Sequence, residues 1–493
     1  MVPSLWNVIL RISALLKLPV DKATVPVILV LAIVLAIPYR IFLHPSRVDA
    51  TTRHIVAIGL GFYFSYYLHS WGVVVLLIQA SLCYILMVYL NPTYMPKVVF
   101  AVAMGILTVV NFREFLHDRP GDSVVRALMI FTAKITSLAW SIHDGFARDR
   151  MRYSDLQSKK IVRRIPSVLE YISYLFHFQG LAIGPFCFYK DYIDFIEGKH
   201  LVPYKIIKDG KEVSIHKEPP VTAVVLQKIV ISIMIVAISA PLTSIIPLEG
   251  NIDESVLKSP FIYRMLYSWA CLWFVIHPVY FLVWTLADTA SNASGFGFNG
   301  YDTHGTPRWD LLSNINLKPY LLSSNLKLSI DNWHMSVNRW LKYVSYERLP
   351  YQKQSLTILL SLVWHGFLPG YIWFYIGGVT LIFTQKRGRY VIRPHFITSR
   401  LMKFLYDLAT WAGHWIILSY LVTMFQFRDN ARIVKFGRAN YFWGQVVMVI
   451  LIILFHLKKP PKKLDSKDGN QDKTSLLGSN QDNSQRNKPV KGD

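Results

Sequence analysis

Charge is scarce in this chain. Only 17% of its 493 residues are Asp, Glu, Lys or Arg, against about a quarter in ordinary soluble domains. A soluble protein of this length could not stay dispersed behind so little polar surface. Acidic residues are the rarer sign, 30 against 53 Lys and Arg, leaving a formal charge of +23. Cysteine is almost missing. Cys83, Cys187 and Cys271 each lie in or beside an apolar stretch without metal-ligand spacing, which excludes a disulfide or zinc framework and leaves them as small core residues. A cleavable secretory leader is lacking as well. Met1 to Leu18 has neither a strongly charged start nor a small-residue cleavage site, so the first long apolar stretch is expected to remain as an anchor. Neither a fixed-period repeat nor a transporter-like inverted repeat stands out.

Apolar side chains are abundant. The chain is 53% hydrophobic and 14% aromatic, with a mean hydropathy of +0.32, which rules out a disordered polymer and makes the bilayer its solvent. A spanning helix needs about 20 mostly apolar residues. Candidates run over Val25–Leu43, Ile55–Leu68, Val73–Leu90, Val98–Val110, Val221–Leu248, Phe261–Leu286, Leu356–Trp364, Tyr371–Phe383, Leu401–Phe425 and Tyr441–Leu457. The expectation is an all-α, multi-pass bundle of roughly nine to twelve spans, because backbone groups in lipid must bond within their own segment. Residues 1–457 form one membrane domain in this reading, and 458–493 a basic, polar, disordered cytosolic tail. Pro38, Pro241, Pro278 and Pro369 should kink or end their helices.

Positive charge gathers in three segments, Arg148–Arg164, Lys199–Lys217 and Lys386–Arg400, and at the start of the tail. With so many apolar runs, this excess reads as cytosol-facing loops and lipid contacts, not as a nucleic-acid surface. Such a rim would also attract a phosphate-bearing co-substrate. Lys134, His277, His365 and His414 lie inside apolar stretches, where a polar group needs a partner or a cavity. For each histidine the plain reading is a hydrogen bond across the bundle.

From Ser291 to Gly378 the composition changes. A Gly- and aromatic-rich stretch, Gly295-Phe-Gly-Phe-Asn-Gly-Tyr301, is followed by Trp309-Asp-Leu, by Asp331-Asn-Trp-His-Met-Ser-Val-Asn-Arg-Trp340 and on to Pro350, then by Trp364-His-Gly366. Read as a helix, Asp331–Pro350 places Trp333, Val337, Trp340, Leu341 and Val344 on one stripe. It also puts His334 and Asn338, four residues apart, on one face beside a Trp-lined surface. His365 sits between the apolar run Ile358–Val363 and Gly366, Pro369 and Gly370. An imidazole there is partly desolvated and available as a base, and Gly366 leaves room for close approach. The Asn292-Ala-Ser294 glycosylation pattern reads as chance.

These pieces resemble the membrane-bound O-acyltransferase family, and its lysophospholipid acyltransferase branch in particular. The resemblance rests on the motifs just quoted together with Tyr346-Glu-Arg348. Upstream it extends to Ser141-Ile-His-Asp-Gly145, Pro166-Ser-Val-Leu-Glu-Tyr171, Gly184-Pro185 and Tyr189-Lys-Asp-Tyr-Ile-Asp-Phe-Ile-Glu197. It implies a multi-pass fold around a chamber for two fatty chains, and transfer of an acyl group from acyl-coenzyme A, as co-substrate, to a lipid hydroxyl. It implies the endoplasmic-reticulum membrane as location. The family histidine maps onto His365. The family Asn that follows Asp-Asn-Trp is replaced here by His334, a departure that bears on rate or specificity.

The implied mechanism has His365 as general base and His334 orienting the reactants or stabilising the oxyanion. Trp333, Asn338 and Trp364 are the candidate substrate-binding residues. No nucleophilic Ser or Cys with an obvious partner is apparent, which favours direct transfer over an acyl-enzyme. No bound cofactor or metal is expected. The expected partners are acyl-coenzyme A, a lysophospholipid and the bilayer, and a homodimer is compatible with the sequence. The alternatives are acylation of another acceptor (a neutral lipid or a protein), and a transporter using the intramembrane histidines.

Overall fold

The computed structural model describes residues 5–16, 19–117, 123–146, 153–181, 184–201, 204–208, 211–215, 219–302 and 304–457. The tail beginning at Lys458 lies outside these residues, as do parts of the first two basic segments. Among the described residues, seven helices are long and apolar enough to cross a bilayer: Lys22–Phe42, Ala50–Tyr89, Met95–Leu116, Val124–Phe146, Thr222–Ile252, Phe261–Ala293 and Arg400–Gln426. An eighth is added if Asn430–Ala439 and Trp443–Leu457, bent by 67°, count as one span.

The multi-pass helical fold is as expected, and its helices differ from the expected stretches for identifiable reasons. Ile55–Leu68 and Val73–Leu90 both lie in the 40-residue run Ala50–Tyr89, which breaks at Ser70 (φ 48°) and a 3₁₀ turn at Ser70–Gly72 and is, at about 1.5 Å per residue, long enough for two crossings. Leu356–Trp364 falls on a helix of 13 residues, Lys353–His365, too short for the roughly 30 Å of a hydrocarbon core. Tyr371–Phe383 is the apolar half of Pro369–Phe396, whose other half carries Lys386, Arg387, Arg389 and Arg393. The third basic segment is therefore largely helix. Pro369 stands in a first turn, where a missing N–H is harmless, whereas Pro38 and Pro241 lie within continuous helices and Pro278 lies within Phe261–Ala293, just after the π-helical turn Leu272–Ile276. One short hairpin accompanies the helices, in the second basic segment: Tyr204–Lys208 pairs antiparallel with Lys211–Ile215.

The side chains form two apolar cores. One gathers the helices of the N-terminal part, through Ile196, around Phe64, Leu107, Phe131 and Tyr174, and takes in Trp340 and Trp364. The other surrounds Trp415, Tyr420, Leu421 and Phe436, and takes in Tyr320 with Trp333 packed on it. The Val20–Phe42 and Thr222–Ile245 helices pack on His277–Ala293, and Met95–His117 packs on Ser123–Phe146. Leu226, Val230, Ile233 and Ile238 are exposed on Thr222–Ile245, an apolar face suited to lipid.

Buried polar groups tie the bundle together. Lys134 donates to the carbonyls of Tyr174 and Leu175 at 3.0 and 3.1 Å, supplying the end of Val168–Phe176 with donors it would otherwise lack. His277 meets the Tyr320 hydroxyl at 2.9 Å, and His414 meets Ser329 at 2.7 Å, so these two histidines are cross-bundle contacts. Ser167 and Glu170 form a capping box, and the Arg164 guanidinium beside Glu170 holds that carboxyl down at about 2. Cys83, Cys187 and Cys271 are buried free thiols. Asn292 is fully buried, which bars its sequon from a glycan.

The Ser141–Gly145 and Tyr346–Arg348 motifs meet. Arg348 bonds both oxygens of Asp144, at 3.0 and 2.7 Å, and the Tyr343 hydroxyl reaches the same carboxylate at 3.2 Å. Its guanidinium also lies 4.1 Å from the Trp140 ring centroid. Gly145 admits the Val162 carbonyl, which would sit 1.9 Å from a Cβ there. Removing one partner of a buried pair strands the other charge. Asp144→Asn should lower stability by about 3–5 kcal/mol, read as a fall in melting temperature in detergent. The double variant Asp144→Asn/Arg348→Met should lose less than the sum of the single changes.

Candidate active site

Asn325 caps Leu326–Asn332, its side chain accepting from the Leu328 amide at 3.0 Å. The helix then stops. Trp333 is extended and bridges to Ile315, and His334 turns left-handed at φ 52° before a new helix, Met335–Leu341, begins. A π-helical turn follows at Lys342–Tyr346. The single helix expected over Asp331–Pro350 is therefore broken at its histidine, and His334 and Asn338 do not share a helix face.

The break is held from both sides. The Met335 amide donates to the Asn314 carbonyl at 2.8 Å, and the Asn314 side chain accepts from the Ser336 amide and hydroxyl at 3.1 and 2.6 Å. The Phe186 amide donates to the Ser336 hydroxyl at 3.1 Å. Asn338 turns its amide back to the carbonyls of Ile330 and Trp333. Its NH₂ is thus engaged in holding the turn.

Trp333 packs among His277, Tyr280, Trp284 and Tyr320. His334 stacks on Trp284, with centroids 5.0 Å apart and planes 20° apart. Trp364 is buried and donates its indole N–H to the Met129 carbonyl at 2.9 Å. Its ring lies 6.0 Å from His334 and 4.7 Å from His365. Both imidazoles therefore pack on the same tryptophan ring.

His365 is the last residue of Lys353–His365, and Gly366 beyond it has φ 109°. A Cβ at Gly366 would lie 2.9 Å from the Asn111 side-chain oxygen, so glycine is needed for the left-handed turn and for that approach. His365 is half-buried and borders a cavity of about 250 Å³. Neither the His365 nor the His334 imidazole hydrogen-bonds to a described residue. The cavity is more polar than the hydrocarbon chamber expected: Asn111, Glu114, Arg126, Gln426 and Arg428 share its wall with Tyr371. His334, Trp333 and Trp364 do not line it.

Asn111 escaped sequence reading. It directly follows the apolar run Val98–Val110 and has no motif of its own. It is buried, and its amide nitrogen has no partner, an unsatisfied donor of the kind that calls for an explanation. Among the described residues, no cluster of three or more His, Cys, Asp or Glu could hold a metal.

The cavity lies at one end of the bundle. It meets Ser123–Phe146 near its start, Pro369–Phe396 at Tyr371 and Arg400–Gln426 at its close. The basic half of Pro369–Phe396 and the start of Arg400–Gln426 are at the other end. At about 1.5 Å per residue, a bilayer's thickness separates the two.

The sequence model of the membrane-bound O-acyltransferase family matches residues 85–425. The chain is 34% identical over 471 residues to membrane-bound glycerophospholipid O-acyltransferase 2 of Rattus norvegicus, covering 93% of this chain and 89% of that protein. It is 35% identical over 463 residues to the Gallus gallus protein of the same name, covering 92% and 88%. It is 28% identical over 438 residues to the lysophospholipid acyltransferase of Schizosaccharomyces pombe, covering 84% and 83%. The chain belongs to the membrane-bound O-acyltransferase family.

Proposed function

We propose that this protein is a lysophospholipid O-acyltransferase that moves a fatty acyl group from acyl-coenzyme A to a glycerol hydroxyl, in the endoplasmic-reticulum membrane. The observation that carries the reading is His365: a half-buried imidazole with no hydrogen bond to a described residue, facing a cavity at a glycine turn. The names of the relatives, a glycerophospholipid O-acyltransferase and a lysophospholipid acyltransferase, point the same way.

In this mechanism His365 takes the proton from the lipid hydroxyl as its oxygen attacks the thioester carbonyl carbon. The tetrahedral oxyanion collapses, the C–S bond breaks, and the imidazolium returns the proton to the departing thiolate. The C-terminal end of the Lys353–His365 helix favours the imidazolium as it forms. Asn111, beside Gly366, supplies a carboxamide to the same cavity. His334, packed on Trp284 and Trp364, acts on the reaction by positioning. By the positive-inside tendency the basic end is cytosolic, and the cavity at His365 opens toward the opposite end.

Microsomes containing the full chain, given labelled acyl-coenzyme A and a panel of lysolipids, should form diacyl phospholipid. His365→Ala should lower kcat by about 10²–10⁴-fold while the protein remains folded. Transfer unaffected by that change would overturn the site assignment, and no transfer to any lysolipid would overturn the function.

His334→Asn should keep activity within about tenfold, because Asn tolerates the left-handed conformation. His334→Val should lose stability, since a β-branched residue is strained there. Melting curves and initial rates on the two variants check both statements.

A further inference from the structure

Attack on a thioester carbonyl turns a neutral oxygen into an alkoxide, and inside a protein that charge needs a hydrogen-bond donor already in place. His365 is committed to the proton of the lipid hydroxyl, so the donor is a second group on the wall of the same cavity. The imidazole of His334 does not line that wall. Three observations single out Asn111. It lines the cavity together with His365 and Gly366, yet it is only 6% exposed. Neither end of its carboxamide hydrogen-bonds to a described residue, and its nitrogen is a buried donor without a partner. Its oxygen and nitrogen would lie 2.9 and 3.4 Å from a Cβ at Gly366, so the missing side chain of that glycine is what seats the amide beside the base.

The two groups also come from packed helices, since Met95–His117 contacts Lys353–His365. A buried NH₂ with no protein acceptor is costly at rest and gains most when an acceptor arrives with the substrate. The terminal torsion of an asparagine is broad and roughly two-fold, so a carboxamide unheld at both ends can turn its NH₂ to an oxygen in the cavity. Resting on the acyltransferase reading, we infer that Asn111 is the oxyanion donor of the transfer. The lipid oxygen bonds to the carbonyl carbon as its proton passes to His365, and the carbonyl π pair moves onto the oxygen. Asn111 donates a hydrogen bond to that oxygen and transfers no proton. When the C=O re-forms, the C–S bond breaks and the proton goes from the imidazolium to the thiolate sulfur.

The test measures kcat and KM of the full chain in microsomes with a lysophospholipid panel and labelled acyl-coenzyme A. Asn111→Leu, similar in size but without the donor, should lower kcat by about 10²–10³-fold and leave KM nearly unchanged. Asn111→Ser, which keeps a shorter donor, should recover part of the loss. A dithioester analogue of acyl-coenzyme A, with C=S in place of C=O, offers only a weak acceptor where the oxygen stood. It should slow the wild type more than Asn111→Leu, the two changes together costing about tenfold less than the product of the separate losses. Melting curves in detergent report whether each variant is folded, and Asn111→Ala carries the same comparison if Asn111→Leu is not. An unchanged kcat, a loss confined to KM, or an equal dithioester penalty in wild type and variant would overturn the inference and leave the acyltransferase reading standing. No transfer by the wild type to any lysolipid would overturn that reading, and this inference with it.

Discussion

Backbone that leaves a helix inside a membrane protein must find hydrogen bonds within the protein, because lipid offers none. The turn at His334 is where this constraint bears hardest. Asn314 meets it from one side with its carbonyl and its side chain, Ser336 passes the link on to the Phe186 amide, and Asn338 closes the preceding carbonyls. The turn in turn fixes where Trp333 enters the second core and where Trp340 enters the first. Without it, the two cores would lack their common seam beside Trp364.

Much of this was legible from residue types. Apolar runs located most of the long helices, and His365 followed by Gly366 marked a base beside a turn. The break at His334 was not legible, because Trp333, Val337, Trp340 and Val344 keep a helical period across it. Hydrophobic period reports which side chains are buried, and these remain largely buried when the helix restarts in a new direction. Long-range hydrogen bonds that force such a break leave no local trace. The pairing of Asp144 with Arg348 was hidden for the same reason, since 204 positions in sequence separate the two.

The two histidines of the motifs play different parts because their surroundings differ. His334 has an aromatic partner on one side and Trp364 on the other, which fixes its ring. His365 also packs among rings, those of Trp364, Tyr371, Tyr375 and Phe425, but it ends a helix at the cavity wall, which His334 does not line. A base must reach the proton it removes, so the geometry favours His365 for the transfer. The replacement of the family Asn by His at 334 then concerns a ring packed on the same tryptophan as the base. Asn111 brings a carboxamide to the same cavity, beside Gly366.

The charged opening and the basic end also differ in kind. Lys386, Arg387, Arg389 and Arg393 line up on one helix without an acidic neighbour in sequence, a pattern that orients a chain and gathers anions from a distance. Arg126, Glu114 and Arg428 come from three segments and surround a small volume. Long-range attraction depends on net charge and is weakened by salt, whereas discrimination between headgroups depends on where each sign is placed. A single carboxylate among arginines lowers the net attraction for anions at that opening.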